Sequence, residues 1–226
     1  MNAEMKYIYL SKHSLAAQLN EEQIRILCDA AKTTKANKGE IIQYDDGANS
    51  RIYLLIQGKA KITEVDESGN EFIKEIVNEG DLFGKWSLEN GNTSDEYAEV
   101  LTENTILCSF DLKQFAALMQ QLPILILNYA RLMNEKLRRL ENRHSNLVFK
   151  DVKTRLIYFF KDWAKTDGNQ VGNKVVLKNY LTHSDIAAFI STSRQSVTGL
   201  LNEFKETGIL SYSRKQIELN SQGAWN

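Results

Sequence analysis

The chain has 226 residues, 42% hydrophobic and 25% charged, enough for more than one domain, and none of its apolar runs is long enough to cross a membrane as a helix. Two cysteines (Cys28, Cys108) and three scattered histidines (His13, His144, His183) supply no C-x-x-C pair and no H-E-x-x-H site, which excludes a disulfide framework, a cysteine-held cluster and a zinc enzyme. The net charge of −1 hides a split, because residues 150–226 carry +4 and the preceding 149 carry −5, as in a sensor joined to something that meets polyanions.

Residues 11–36 read as helical. Leu15, Leu19, Ile24, Leu27 and Ala31 recur near helical spacing, and Asn20 with Gln23 three residues on marks a capped start. From Lys38 to Phe110 short apolar runs alternate with glycine turns: 40–44, 52–57, 60–65, 72–77, 82–83, 97–101 and 105–110. The turns contain Asp46-Gly47, Gln57-Gly58, Gly69-Asn70, Gly80-Asp81 and Asn90-Gly91. Short strands punctuated in this way predict an antiparallel barrel or jelly roll, with Gly69-Asn70 as a hairpin.

The single proline, Pro123, stands where a long helix begins, a position that tolerates its missing N–H. Beyond it Ile126, Ala130, Met133, Leu137, Leu140, His144 and Leu147 step alternately by four and three residues. That is the spacing of a coiled-coil seam, and it predicts a homodimer. Across this seam His144 reads as a neutral, hydrogen-bonded histidine, and His13 as a surface one.

A helix over 152–164 and a strand over 174–178 follow. Thr182-His-Ser-Asp185 reads as a capping box, and so does Thr192-Ser-Arg-Gln195, each opening a short amphipathic helix. Two helices joined by a tight turn form a helix-turn-helix, whose second helix enters the DNA major groove. Arg194, Gln195, Thr198 and Gly199 are the candidate base-reading positions. Arginine pairs with guanine and glutamine with adenine through two hydrogen bonds each. Gln195 also has the spacing of a cap. Thr182, Ser193 and Ser196 are candidate phosphate contacts. So are Arg214 and Lys215, at the tip of a hairpin formed by 209–212 and 216–219 that has the place of a wing.

In this order the elements resemble the CRP/FNR family of bacterial transcription regulators over nearly the whole chain. The resemblance rests on Lys38-Gly-Glu40, Leu55-Ile-Gln-Gly-Lys59 and Glu79-Gly-Asp-Leu-Phe-Gly84, then on Asn146-Leu-Val-Phe-Lys-Asp-Val152. In the back part it rests on Leu181-Thr-His-Ser-Asp-Ile-Ala187 and Ser193-Arg-Gln-Ser-Val-Thr198. It implies an α+β chain in three parts: a cyclic-nucleotide-binding-like β-roll (jelly roll) sensor over 1–121, a dimerisation helix over 122–149, and a winged helix-turn-helix over 150–226. It also implies a dimer on a palindromic double-stranded DNA site in the cytoplasm, with RNA polymerase as a partner and no cofactor. The dimer interface is expected at Ile126, Met133, Leu137, Leu140, His144 and Leu147. The family's base-reading positions fall on Arg194, Gln195 and Gly199, and glycine offers no side chain there, so the target sequence is expected to differ from the best-known ones.

Cyclic-AMP-binding relatives hold the ligand phosphate with Gly-Glu followed by Arg-Ser, and meet the adenine with Thr-Ser. Here Gly84 is followed by Lys85, Asp95-Glu96 fall at Arg-Ser, and Leu140-Glu141 fall at Thr-Ser. Two carboxylates repel a phosphate, so the effector pocket is expected to be degenerate and its effector not cyclic AMP. The alternative is a small-molecule sensor whose winged helix contacts protein. An enzyme of the cupin type requires histidine ligands on its strands, and 38–110 contains no histidine; no Walker loop or G-x-S-x-G is present either.

Overall fold

The computed structural model describes residues 3–44, 50–84 and 96–220. The turns at Asp46-Gly47 and Asn90-Gly91, together with Lys85 and Asp95, lie outside them. The chain divides into two compact units, Met1–Arg139 and Leu140–Asn226.

The first unit opens with α1 (Ala3–Lys12), a 3-10 turn (Ser14–Ala16) and α2 (Glu21–Ala30). Asn20 caps α2 in a full capping box with Gln23, as its spacing predicts. The helical reading ends too late, since Lys32–Ala36 is a strand, β1, paired with Thr105–Ser109. Thr33 and Thr34 are β-branched and suit an extended chain, and the partner that decides the matter stands at the opposite end of the roll's sequence.

Among the described residues seven further strands follow: β2 (Ile41–Ile42), β3 (Arg51–Gln57), β4 (Ala60–Val65), β5 (Glu71–Val77), β6 (Leu82–Gly84), β7 (Glu96–Val100) and β8 (Thr105–Asp111). They form two antiparallel sheets, ordered β1-β8-β3-β6 and β2-β7-β4-β5. β4 and β5 make the hairpin, turned at Gly69 with φ +80°. Side chains alternate along β3. Ile52, Leu54 and Ile56 pack with the helices, whereas Tyr53 and Leu55 pack against Ile62, Val77, Phe83 and Ala98 inside the roll. A strand covered on both faces has no polar side to show, which is why Ile52–Ile56 is one apolar run.

Then come α3 (Leu112–Gln121), capped by Asp111, and α4 (Pro123–Phe149). Leu122 leaves helical geometry at φ −123°, ψ 81°, as a residue before proline must. Along α4, Leu125 is buried, and Tyr129, Leu132 and Met133 pack against the core of the first unit. Buried Asn128 donates to the Leu15 and Ala17 carbonyls at 3.0 and 2.7 Å. Met133 therefore packs on its own unit. Ile126, Leu137 and Leu140 are 45%, 53% and 42% exposed, a bare apolar stripe; His144 is exposed with them and Leu147 is half-buried.

The second unit holds α5 (Val152–Asp167), β9 (Asn169–Val171), β10 (Lys174–Lys178), α6 (His183–Ile190), α7 (Arg194–Glu206), β11 (Leu210–Tyr212) and β12 (Gln216–Asn220). Its sheet runs β11-β12-β10-β9. Leu156, Phe160, Leu177, Ile186, Val197, Leu201, Phe204 and Ile217 are buried, each contributing about 1.5–3 kcal/mol of apolar transfer. Arg143 fastens the last turns of α4 to this unit, donating to the Phe189 carbonyl at 2.7 Å with its guanidinium over the Phe189 ring. Among the described residues no helix is long and apolar enough to cross a membrane.

Candidate nucleic-acid interface

Thr182 caps α6 and Asp185 completes the box. The Thr182 hydroxyl donates to Asp185 Oδ2 at 2.6 Å, and its backbone N–H reaches the same oxygen at 2.8 Å. Both donors of Thr182 are thus engaged inside the cap. Ser191 ends α6 in the left-handed conformation (φ 55°, ψ 64°), where glycine is the usual residue because a side chain costs about 1 kcal/mol there.

That turn sets the start of α7 one residue later than Thr192-Gln195 predicts. The cap is Ser193, whose Oγ accepts the Ser196 N–H at 3.0 Å. The capping reading of Gln195 is corrected accordingly: Gln195 is exposed and its side chain makes no cap. Arg194, Gln195 and Gly199 share the exposed surface at the start of α7, while Val197, Leu201 and Phe204 are buried. Gly199 sits mid-helix, and a Cβ built there meets nothing within 4 Å.

Thr198 is half-buried. Its hydroxyl donates to the Arg194 carbonyl at 2.9 Å and is bonded to His183 Nδ1 at 2.8 Å. The hairpin of β11 and β12 carries Arg214 and Lys215 at its exposed tip. Asn179 braces this tip, donating to Tyr212 Oη and to the Ser213 carbonyl, both at 2.9 Å. Among the described residues, Arg194, Arg214 and Lys215 form no ion pair.

The expected effector residues are in a different state. Gly84 has φ +113°, and a Cβ there would run into the Arg51 carbonyl, so glycine is required. Glu96 is bound to Lys74 at 2.7 Å, and Lys74 also reaches Glu64 at 3.1 Å. Nearby, Glu75 of β5 meets Lys136 of α4 at 2.6 Å, while Arg139 bonds Asp81 at 2.8 Å and lies 3.5 Å from Glu75. Burial pushes the Glu75 carboxyl up, and Lys136 opposes the shift. Burial first, then Glu96 and Glu75, push the Tyr44 phenol up as well.

His13 is no surface histidine. Its Nδ1 accepts the Leu15 N–H at 3.0 Å, and its Nε2 donates to the Gly80 carbonyl at 2.8 Å. Burial lowers its pKa against the opposing pull of the Gly80 bond, and the acceptor role of Nδ1 requires a neutral ring. Cys28 and Cys108 are buried thiols; burial raises both, which makes them poor nucleophiles. Among the described residues no cluster of His, Cys, Asp or Glu is placed to hold a metal ion.

Sequence reasoning missed Glu75, Asp81 and His183 as working residues. The i, i+3 spacing of Lys136 and Arg139 does place both on one helix face, but nothing local names their partners.

Residues 33–122 match the family model of the cyclic nucleotide-binding domain, and residues 154–223 match the Crp-like helix-turn-helix domain. The chain is 26% identical over 171 residues to the global nitrogen regulator of a Nostoc species, covering 75% of this chain and 77% of that one. It is also 26% identical over 180 residues to the CRP-like cAMP-activated global transcriptional regulator of Mycobacterium tuberculosis, covering 80% of each. Among solved structures, a CooA mutant from Carboxydothermus hydrogenoformans has the same fold, with a TM-score of 0.73 at 23% identity over 96% of this chain and 95% of that one.

Proposed function

Because the chain belongs to the CRP/FNR family of transcription regulators, we propose that it binds duplex DNA as a homodimer on a two-fold symmetric site. The observation that carries this reading is the exposed Arg194 at the start of α7, next to Gln195, together with Arg214 and Lys215 at the wing tip, all three cations unpaired among the described residues. An arginine at a helix N-terminus opposes the helix dipole, and an outside anion or a guanine edge offsets that cost.

Arg194 and Gln195 read bases, and Gly199 leaves a gap where a third contact would stand. Thr198 contributes its methyl face, its hydroxyl being engaged. Ser193, Ser196, Arg214 and Lys215 meet phosphates; Thr182 joins them only by giving up a donor of its cap. The exposed stripe Ile126, Leu137, Leu140 and His144 is the dimer seam, and it sets half-sites about 34–36 Å apart. RNA polymerase, as a further partner, rests on the family alone.

The β-roll does not take cyclic AMP in this reading. Glu96 stands where a phosphate-binding side chain is needed, Leu140 lacks a hydroxyl, and the α4 cations Lys136 and Arg139 are already bound to Glu75 and Asp81.

Selection of bound duplexes from a random library, with and without cyclic AMP, tests the reading. A palindrome recovered without additive is the expected outcome. Recovery only with cyclic AMP would overturn the pocket reading, and weak, sequence-indifferent binding in both arms would favour a wing that contacts protein.

A further inference from the structure

His183 opens α6, half-buried beside the candidate interface. Its Nδ1 lies 2.8 Å from Thr198 Oγ1, and that hydroxyl donates its one proton to the Arg194 carbonyl. The ring must therefore be the donor, with its proton on Nδ1. In the neutral ring Nε2 is then a bare acceptor, and among the described residues it makes no hydrogen bond. The ring packs edge-on against Tyr212, 5.0 Å between centroids, and Tyr212 Oη accepts from Asn179. His183 thus ties the first turns of α7 to the wing.

We infer that His183 is a positioning residue for α7 whose imidazolium is the DNA-bound form, so that duplex binding takes up a proton. The inference rests on the DNA-binding reading above. Arg194 faces the ring from α7 and Tyr212 from β11, while on α6 itself Asp185 is engaged in the cap. Burial, and then the Arg194 cation, hold His183 below the usual histidine range, so the free protein carries a neutral ring at neutral pH. Phosphates brought against this face offset the Arg194 charge, and they favour an N–H at Nε2 over a lone pair. Binding that raises a pKa weakens as pH rises from the free value towards the bound one. The limit is about tenfold per pH unit for each proton taken up.

The test is fluorescence anisotropy on a labelled duplex carrying the selected site, at fixed ionic strength from about pH 6 to about pH 8. Wild-type affinity is expected to fall at least about tenfold across that range. His183→Gln keeps an N–H for Thr198 without titrating, and its affinity is expected to be flat. A wild-type slope surviving in His183→Gln overturns the inference. A second measurement needs no variant: the His183 ring, followed by NMR, is expected to titrate higher with duplex than without it, and an unchanged or lower titration overturns the inference. Duplex binding absent at every pH would sink the DNA reading itself, and this inference with it.

Discussion

The ion-pair cluster of the first unit and the candidate DNA face of the second hold their cations differently. In the first, Lys61 is bound to Glu99 at 3.0 Å, Lys74 to Glu96 and Glu64, Lys136 to Glu75, and Arg139 to Asp81. In the second, Arg194, Arg214 and Lys215 are exposed and unpaired among the described residues. A pocket whose charges are matched internally offers little to an outside ion, because a newcomer must displace a partner already in place. A face whose cations are unmatched attracts any polyanion, with an affinity that falls steeply as salt rises. The same chain thus presents a cluster with matched charges beside β5 and α4 in one unit, and in the other a face at the start of α7 and the wing tip whose cations are unmatched among the described residues.

Two substitutions strain that contrast most. Leu137→Asp puts a carboxylate into the exposed stripe without touching either core, since Leu137 is 53% exposed. Light scattering is expected to show monomers, and duplex affinity to fall on the order of a hundredfold or more through lost bivalency. A surviving dimer would place the interface elsewhere. Glu75→Gln probes the matched cluster, leaving Lys136, with 17% of its side chain exposed, facing a neutral amide. Urea unfolding is expected to show a loss of no more than about 1 kcal/mol, because burial already disfavours the Glu75 charge that the amide removes, and this offsets the lost attraction to Lys136. A loss of about 3 kcal/mol or more would show that the Lys136 cation depends on the Glu75 charge as a fully buried pair does.

On the open face, Arg194→Ala sharpens the comparison. It is expected to cost about 1–3 kcal/mol on the selected site and to relax preference at one base pair per half-site. If the loss is equal on every sequence, Arg194 is a phosphate contact, and base reading falls to Gln195 alone.

What the sequence discloses follows from how far apart the deciding residues are. The hairpin at Gly69-Asn70, the α2 capping box and the start of α4 at Pro123 each depend on near neighbours in the chain, and all three stand in the structure. β1 is hidden inside a helical reading because its partner β8 comes only after every other strand of the roll. The start of α7 is ambiguous by one residue, since Thr192 and Ser193 are both good caps; the left-handed turn at Ser191 settles it. In the candidate interface the exposed residues are legible and their tethers are not. Nothing near Thr198 in sequence shows that its hydroxyl belongs to His183, nor anything near Glu75 that its partner Lys136 waits on α4.

Gly199 gives the smallest effect and the most direct check that the open face of α7 is unfilled. It lies in helical geometry without positive φ, with no atom within 4 Å of a Cβ built there. Its presence mid-helix is a cost of about 0.8–1 kcal/mol relative to alanine with no packing return in the free protein. Gly199→Ala is therefore expected to stabilise the fold by up to that amount in thermal or urea unfolding. Duplex affinity should stay within about a factor of two, because a methyl group adds no hydrogen bond to a base edge. If the variant is more stable but binds DNA far more weakly, the space is filled in the complex, and Gly199 is there to admit the DNA backbone rather than to leave a base unread.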